Sequence, residues 1–202
     1  MNGRIAIINY GGGNIGSVKN ALDSLKIKSI ITDDIQEIQN ADKIILPGQG
    51  RFGDVMKKLR KKGLDKILIN EINNGKPYLG ICVGLQILFD SGDEDPVING
   101  LGLISGTIPK FSENKKIPQI GWNSIIKMKD SKLLKEINSF DFFYFVHSYY
   151  CKTDDKESVL TQTKYGQTFV SAIEKNNMMA VQFHPEKSGE SGLKLLKNFG
   201  DI

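Results

Sequence analysis

The 202-residue sequence predicts one α/β domain, spanning 1–202, on a mixed, mainly parallel sheet flanked by helices, with an antiparallel β section in the C-terminal half. Short β-branched runs alternate with helical patterns through the first half, the pattern of βαβ units on a parallel sheet. After about residue 95 the helical period fades, and strands punctuated by Gly, Pro and Asn replace it. The length suits one well-buried core, and no shift in composition marks a second domain.

The strands expected first are Arg4–Asn9, Lys28–Thr32, Lys43–Leu46 and Pro77–Ile81. Between the first two, Ile15, Val18, Leu22 and Leu25 fall on one helical stripe, as do Phe52, Val55, Met56 and Leu59 after the third. Leu64, Ile67, Leu68 and Ile72 form a further stripe, which Gly75 stops ahead of Pro77. In the second half the strand-like stretches are GLGLISGTIPKF, IPQIGWNSIIKM, FDFFYFVHSYY, SVLTQTKY, FVSAIEKN and MMAVQFHPE. Asn176-Asn177 is placed for a hairpin turn between the last two, and a closing helix near Gly189–Phe199 carries Leu193, Leu196 and Phe199.

Composition narrows the function. The formal charge is +4, and its densest basic run, KKLRKK at 57–62, interleaves with Met56 and Leu59 as the solvated face of a helix does, so nucleic acid is not the expected partner. Cys82 and Cys151 are too few for a disulfide framework, and with His147 and His184 they make no zinc-site spacing, so no metal is expected. The opening residues MNGRIAIINY lack a signal-peptide pattern, and no apolar run approaches the ~20 residues of a membrane span. The expectation is a cytoplasmic protein that makes no membrane contact.

Three stretches carry chemistry. In KPYLGICVGLQILF, Cys82 ends a buried strand between Gly80 and Gly84, the thiol version of a nucleophile elbow, where a tight strand-to-helix turn lifts one side chain above the sheet. A helix from about Val83 would aim its positive end at the sulfur. A free cysteine is ordinarily just a small buried hydrophobe, so the reading needs a base. VQFHPEK supplies one: His184 ends an apolar strand, and Glu186, across a proline, can curl back to hold the imidazole tautomer. In ILPGQGRFGD a third buried strand runs into a glycine-rich loop at Gln49 and Gly50, whose backbone N–H can join that of Val83 as an oxyanion hole.

Together P-G-Q-G, G-I-C-V-G-L-Q and H-P-E-K, in that order along nearly the whole chain, resemble the class I glutamine amidotransferase family. The resemblance implies a glutaminase without a cofactor. Cys82 would be the nucleophile, His184 the general base and then acid, and Glu186 its orienter. Gln49, Gly50 and Val83 would serve the oxyanion, and Gln86 the glutamine pocket. NYGGGNIGSV, IPQIGWN, YFVHSYY and HPEKSGESGLKLLKNF resemble more narrowly those members that are the glutaminase subunit of a two-subunit synthase. Their partner is a cyclase subunit with a (β/α)₈ barrel, for which this chain has no room beside the glutaminase. That narrower likeness adds Glu94, His147, Ser148 and Tyr149 to the pocket and assigns Asn14, Trp122 and Lys187 to the partner interface. Gln49 replaces the usual valine of the oxyanion loop, and Val83 and Leu85 replace leucine and methionine of the elbow, the latter two conserving volume.

Three rival readings stand beside this one. Gly11, Gly13 and Gly16 complete a G-x-G-x-x-G after a strand, and Asp33 and Asp34 end the next strand where a ribose-binding acid belongs, as in a dinucleotide-binding protein. A paralogous glutaminase would feed another synthase, for instance one amidating a surface sugar. A catalytically silent module would bind a partner alone.

Overall fold

A computed structural model describes residues 3–112 and 116–202. Parallel strands β1 (Ile5–Ile8), β2 (Ser29–Thr32), β3 (Lys43–Gly48) and β4 (Tyr78–Cys82) match the expected runs. The second half adds β5 (Phe89–Gly92), β6 (Ile104–Ile108), β7 (Gln119–Ser124), β8 (Ile126–Lys127), β9 (Phe142–His147), β10 (Val159–Tyr165), β11 (Gln167–Lys175) and β12 (Met178–Val181). One eight-stranded sheet runs β2-β1-β3-β4-β12-β11-β10-β8. Its first five members are mutually parallel, and β11, β10 and β8 continue it antiparallel, which is the mixed sheet the sequence predicts.

The central strands β1, β3, β4 and β12 are buried at every residue, as continuous apolar runs require when helices cover both faces. Around the sheet lie α1 (Ile15–Ser24), α2 (Ile35–Asn40), α3 (Phe52–Lys61), α4 (Leu64–Asn73), α5 (Val83–Gln86) and α6 (Gly189–Asp201). α3 buries Phe52, Val55, Met56 and Leu59 and leaves the KKLRKK charges outward; there Lys58 Nζ donates to the Gly11 carbonyl at 2.9 Å.

Three features differ from the sequence expectation. α2 has no counterpart in it: six residues are too few for a helical period, and the signal was the Asp34 side chain accepting from Glu37 N–H at 2.9 Å as an N-cap. The helix expected after Cys82 is a single turn, α5, because the chain leaves it to form β5, which pairs with β6. The antiparallel β7–β9 ribbon stands as a separate pair beside the main sheet. Asn176, at φ +55°, turns the chain between β11 and β12 as expected. Among the described residues, no helix is long and apolar enough to cross a membrane.

Candidate active site

β3, β4 and β12 are neighbours, and their carboxyl ends deliver three loops to one rim. Cys82, last in β4, has φ +54° and ψ −106°, a conformation that costs an L-residue about 1–3 kcal/mol and lifts its side chain off the strand. The turn closes only because its flanks lack side chains. A Cβ on Gly80 would lie 2.3 Å from the Gly84 carbonyl oxygen, and one on Gly84 would lie 2.1 Å from that of Leu46. Tyr78, buried beneath, donates its hydroxyl to the Gly84 carbonyl at 2.8 Å.

His184 follows β12 and is buried; its Nδ1 lies 2.9 Å from Glu186 Oε1. Its Nε2 is buried with no hydrogen bond among the described residues, and the imidazole interacts with the Cys82 side chain. Burial pushes the imidazole pKa down, but Cys82 and Glu186 outweigh it and hold the ring above its usual range. Ser188 fixes the turn: its hydroxyl donates to the His184 carbonyl at 2.6 Å and accepts Tyr144 N–H at 2.9 Å, tying the turn to β9. Cys82, His184 and Glu186 are therefore brought together from loops a hundred residues apart in sequence.

A cavity of about 410 Å³ opens above Cys82. All eight residues expected for the pocket line it, namely Gln49, Gly50, Val83, Gln86, Glu94, His147, Ser148 and Tyr149, together with Cys82 and His184. Gly50, at φ +124°, turns the loop after β3 toward α3. Glu94 has a second task, its Oε2 accepting Phe52 N–H at 2.7 Å as a cap on α3. His147 Nδ1 lies 2.7 Å from the Tyr149 carbonyl and Nε2 lies 3.1 Å from the Gln119 side chain. Burial holds the His147 imidazole down to about 4, so it is neutral near pH 7. The Tyr149 carbonyl can only accept, so it fixes the proton of the neutral ring on Nδ1.

The residues assigned to the partner surface gather round the H-P-E-K turn. Asn14 Nδ2 lies 3.4 Å from Glu186 Oε1, so it reaches the carboxylate that holds His184. Lys187 Nζ sits 6.0 Å from the Tyr144 ring centre, and Trp122, 56% exposed, meets the same ring edge-on. Exposed Ile120, Trp122 and Phe142 line the outer face of the β7–β9 ribbon. The acids a dinucleotide would need are otherwise engaged, Asp33 with Lys62 at 2.7 Å and Asp34 as the cap of α2.

Sequence reasoning missed Gln182, Ser188, Pro118, Val146 and Tyr10. Pro118 and Val146 line the cavity. Gln182 is fully buried and donates Nε2 to Cys82 Sγ at 3.6 Å. A polar residue inside the apolar VQF run was the available signal. Tyr10 underlies the glycine loop, and burial pushes its phenol up to about 12.

The family Glutamine amidotransferase class-I matches residues 6–201. The chain belongs to the class I glutamine amidotransferase family. It is 45% identical to the imidazole glycerol phosphate synthase subunit HisH of Chlorobaculum tepidum, covering 98% of this chain and 100% of the relative. It is likewise 45% identical to the subunit of the same name from Methanothermobacter thermautotrophicus, covering 98% of each. Among solved structures, that of PurLQS from Thermotoga maritima shares this fold with a TM-score of 0.79, at 21% identity and 98% coverage of both chains.

Proposed function

We propose that this chain is the glutaminase subunit of imidazole glycerol phosphate synthase, in which residues 1–202 form one glutamine amidotransferase domain. It hydrolyses glutamine to glutamate and ammonia and hands the ammonia to a cyclase subunit, a (β/α)₈ barrel, in cytoplasmic histidine biosynthesis. The observation that carries the chemistry is the meeting of Cys82 with a His184 whose Nδ1 is held 2.9 Å from Glu186 on the rim of a cavity. The 45% identity along almost the whole of two synthase subunits supports the choice of synthase.

In this reading His184 Nε2 has taken the Cys82 proton, and Sγ attacks the carboxamide carbon of glutamine as the thiolate. The carbonyl electrons move to oxygen, which backbone N–H groups of Val83 and of Gln49 or Gly50 stabilise. The tetrahedral intermediate expels ammonia, which takes its proton from His184, and leaves a thioester. A water molecule, deprotonated by His184, then attacks the thioester carbon and releases glutamate, and the thiolate regains its relation to the imidazolium. Glu186 holds the ring tautomer throughout. The loop at Pro47–Gly50 is the expected switch, since its peptide must point an N–H inward for the reaction to proceed.

Free ammonia would be lost by protonation and diffusion, so partner-dependent hydrolysis is chemically sensible. The exposed ribbon face with Ile120, Trp122 and Phe142, and the Lys187 and Asn14 side chains by the triad, support a partner seated there. A chloromethyl ketone analogue of glutamine tests the glutaminase reading. It should add one equivalent to Cys82, seen by peptide mass, with glutamine protecting. Exclusive labelling elsewhere would refute it.

A further inference from the structure

Gln182 follows β12 directly, two residues before His184, and is fully buried. Its side chain belongs to a chain of hydrogen bonds whose polarity is fixed at one end. The Tyr149 carbonyl can only accept. Gln86 therefore presents Nε2 to it, at 3.3 Å, and the same nitrogen lies 3.1 Å from Gln182. With Gln86 set as the donor, Gln182 must turn its Oε1 toward it. The Gln182 amide nitrogen is then left for Cys82 Sγ, 3.6 Å away. A backbone carbonyl in the pocket wall thus dictates that the sulfur meets an N–H rather than an oxygen.

We infer that Gln182 is a positioning residue for the nucleophile: its amide N–H holds the Cys82 sulfur at the cavity and favours the thiolate, while Gln86 and Tyr149 lock the amide in the donating orientation. A thiolate only accepts hydrogen bonds, and a donor to an anion binds it roughly twice as strongly as it binds a neutral acceptor. The single turn of α5 offers little macrodipole to do the same work. His184 changes protonation during turnover, whereas the Gln182 N–H is constant. It weakens its hold when the sulfur is a neutral thioester and recovers it as water expels the thiolate, so it assists both formation and release.

The inference rests on Cys82 being the nucleophile. The test follows alkylation of Cys82 by iodoacetamide against pH in the full-length protein, located by peptide mass, in wild type, Gln182→Met and Gln182→Glu. Gln182→Met keeps the volume and removes the donor. Its alkylation at pH 7 should slow by roughly ten- to a hundredfold, the loss of one hydrogen bond to a charged group, and its profile should move to higher pH. Gln182→Glu should move it further, since a carboxylate would stand beside the sulfur. In the glutaminase assay kcat should fall with little change in KM. A Gln182→Met profile that superimposes on the wild type overturns the proposal. Should Gln182→Met fail to fold, Gln182→Leu removes the same donor, and an unmoved profile there is equally decisive. If wild-type Cys82 ignores the glutamine analogue, the nucleophile reading itself fails, an outcome distinct from an unmoved profile.

Discussion

Gly48 and Cys82 stand opposite each other at the ends of paired strands β3 and β4, so the glycine loop and the nucleophile leave the sheet at one level. A Cβ on Gly48 would sit 2.8 Å from Val83 Cβ. The approach of the loop to the elbow depends on that missing side chain, and so does any joint use of their backbone N–H groups.

The elbow glycines give the sharpest stability contrast. Gly84→Ala sets a methyl 2.1 Å from the Leu46 carbonyl oxygen in a buried central strand that cannot retreat. We expect a loss of more than about 3 kcal/mol, or failure to fold. Gly16→Ala meets nothing within 4 Å, lies in α1 at negative φ, and should gain up to about 1 kcal/mol. Urea denaturation of the two variants measures both.

Cys82→Gly and Cys82→Ala should part in stability but agree in activity. Glycine adopts φ +54° without strain, so Cys82→Gly should be the more stable by about 1 kcal/mol. Both should lose glutamine-dependent turnover while the assembled synthase keeps ammonia-dependent synthesis. Loss of both activities with unchanged assembly would contradict the assignment.

Acid should destabilise the fold through His147. Its imidazole is held by burial at about 4 against an ordinary 6.5, so the unfolded chain binds the proton first as pH falls. Stability present above pH 6.5 is lost on the way to pH 4, by about 3 kcal/mol in the limit. His184, held above its usual range, has the opposite sign, and its contribution is fully present and flat below pH 6.5. The difference between wild type and His147→Asn in unfolding free energy from pH 7 to 4 isolates the His147 share, and parallel curves would refute it.

Glu94 should act on stability and on the pocket together. Glu94→Ala removes the carboxylate that accepts Phe52 N–H, a cap worth about 1 kcal/mol. Because α3 begins next to the Gln49–Gly50 turn, KM for glutamine should rise with it. Thermal unfolding and steady-state kinetics on one preparation test the pair.

The parallel half of the fold was legible because β1, β3 and β4 are short apolar runs separated by amphipathic stripes, and both signals survive in a single sequence. α2 was not, since one and a half turns hold no period and Asp34 is as good a ribose acid on paper as it is a helix cap. β5 hid because it shares only Phe89 with the buried ILF run and continues through Asp90, Ser91 and Gly92, which carry no strand pattern. The rim residues announced themselves by glycines and proline, which have few other uses at strand ends. Gln182 did not, because its meaning lies in Gln86 and Tyr149, brought to it by tertiary packing alone. Asn14, assigned to the partner interface, also touches Glu186, a contact across 172 positions that no local pattern signals.

The most direct measurement is glutamate release by the purified chain, alone and then with the same organism's cyclase subunit and its nucleotide ligand. We expect a low rate alone and a rise of orders of magnitude in the full mixture, abolished by Cys82→Ala. A rate that the cyclase and its ligand leave unchanged would contradict the assignment to this synthase, even if Cys82 still reacts with a glutamine analogue.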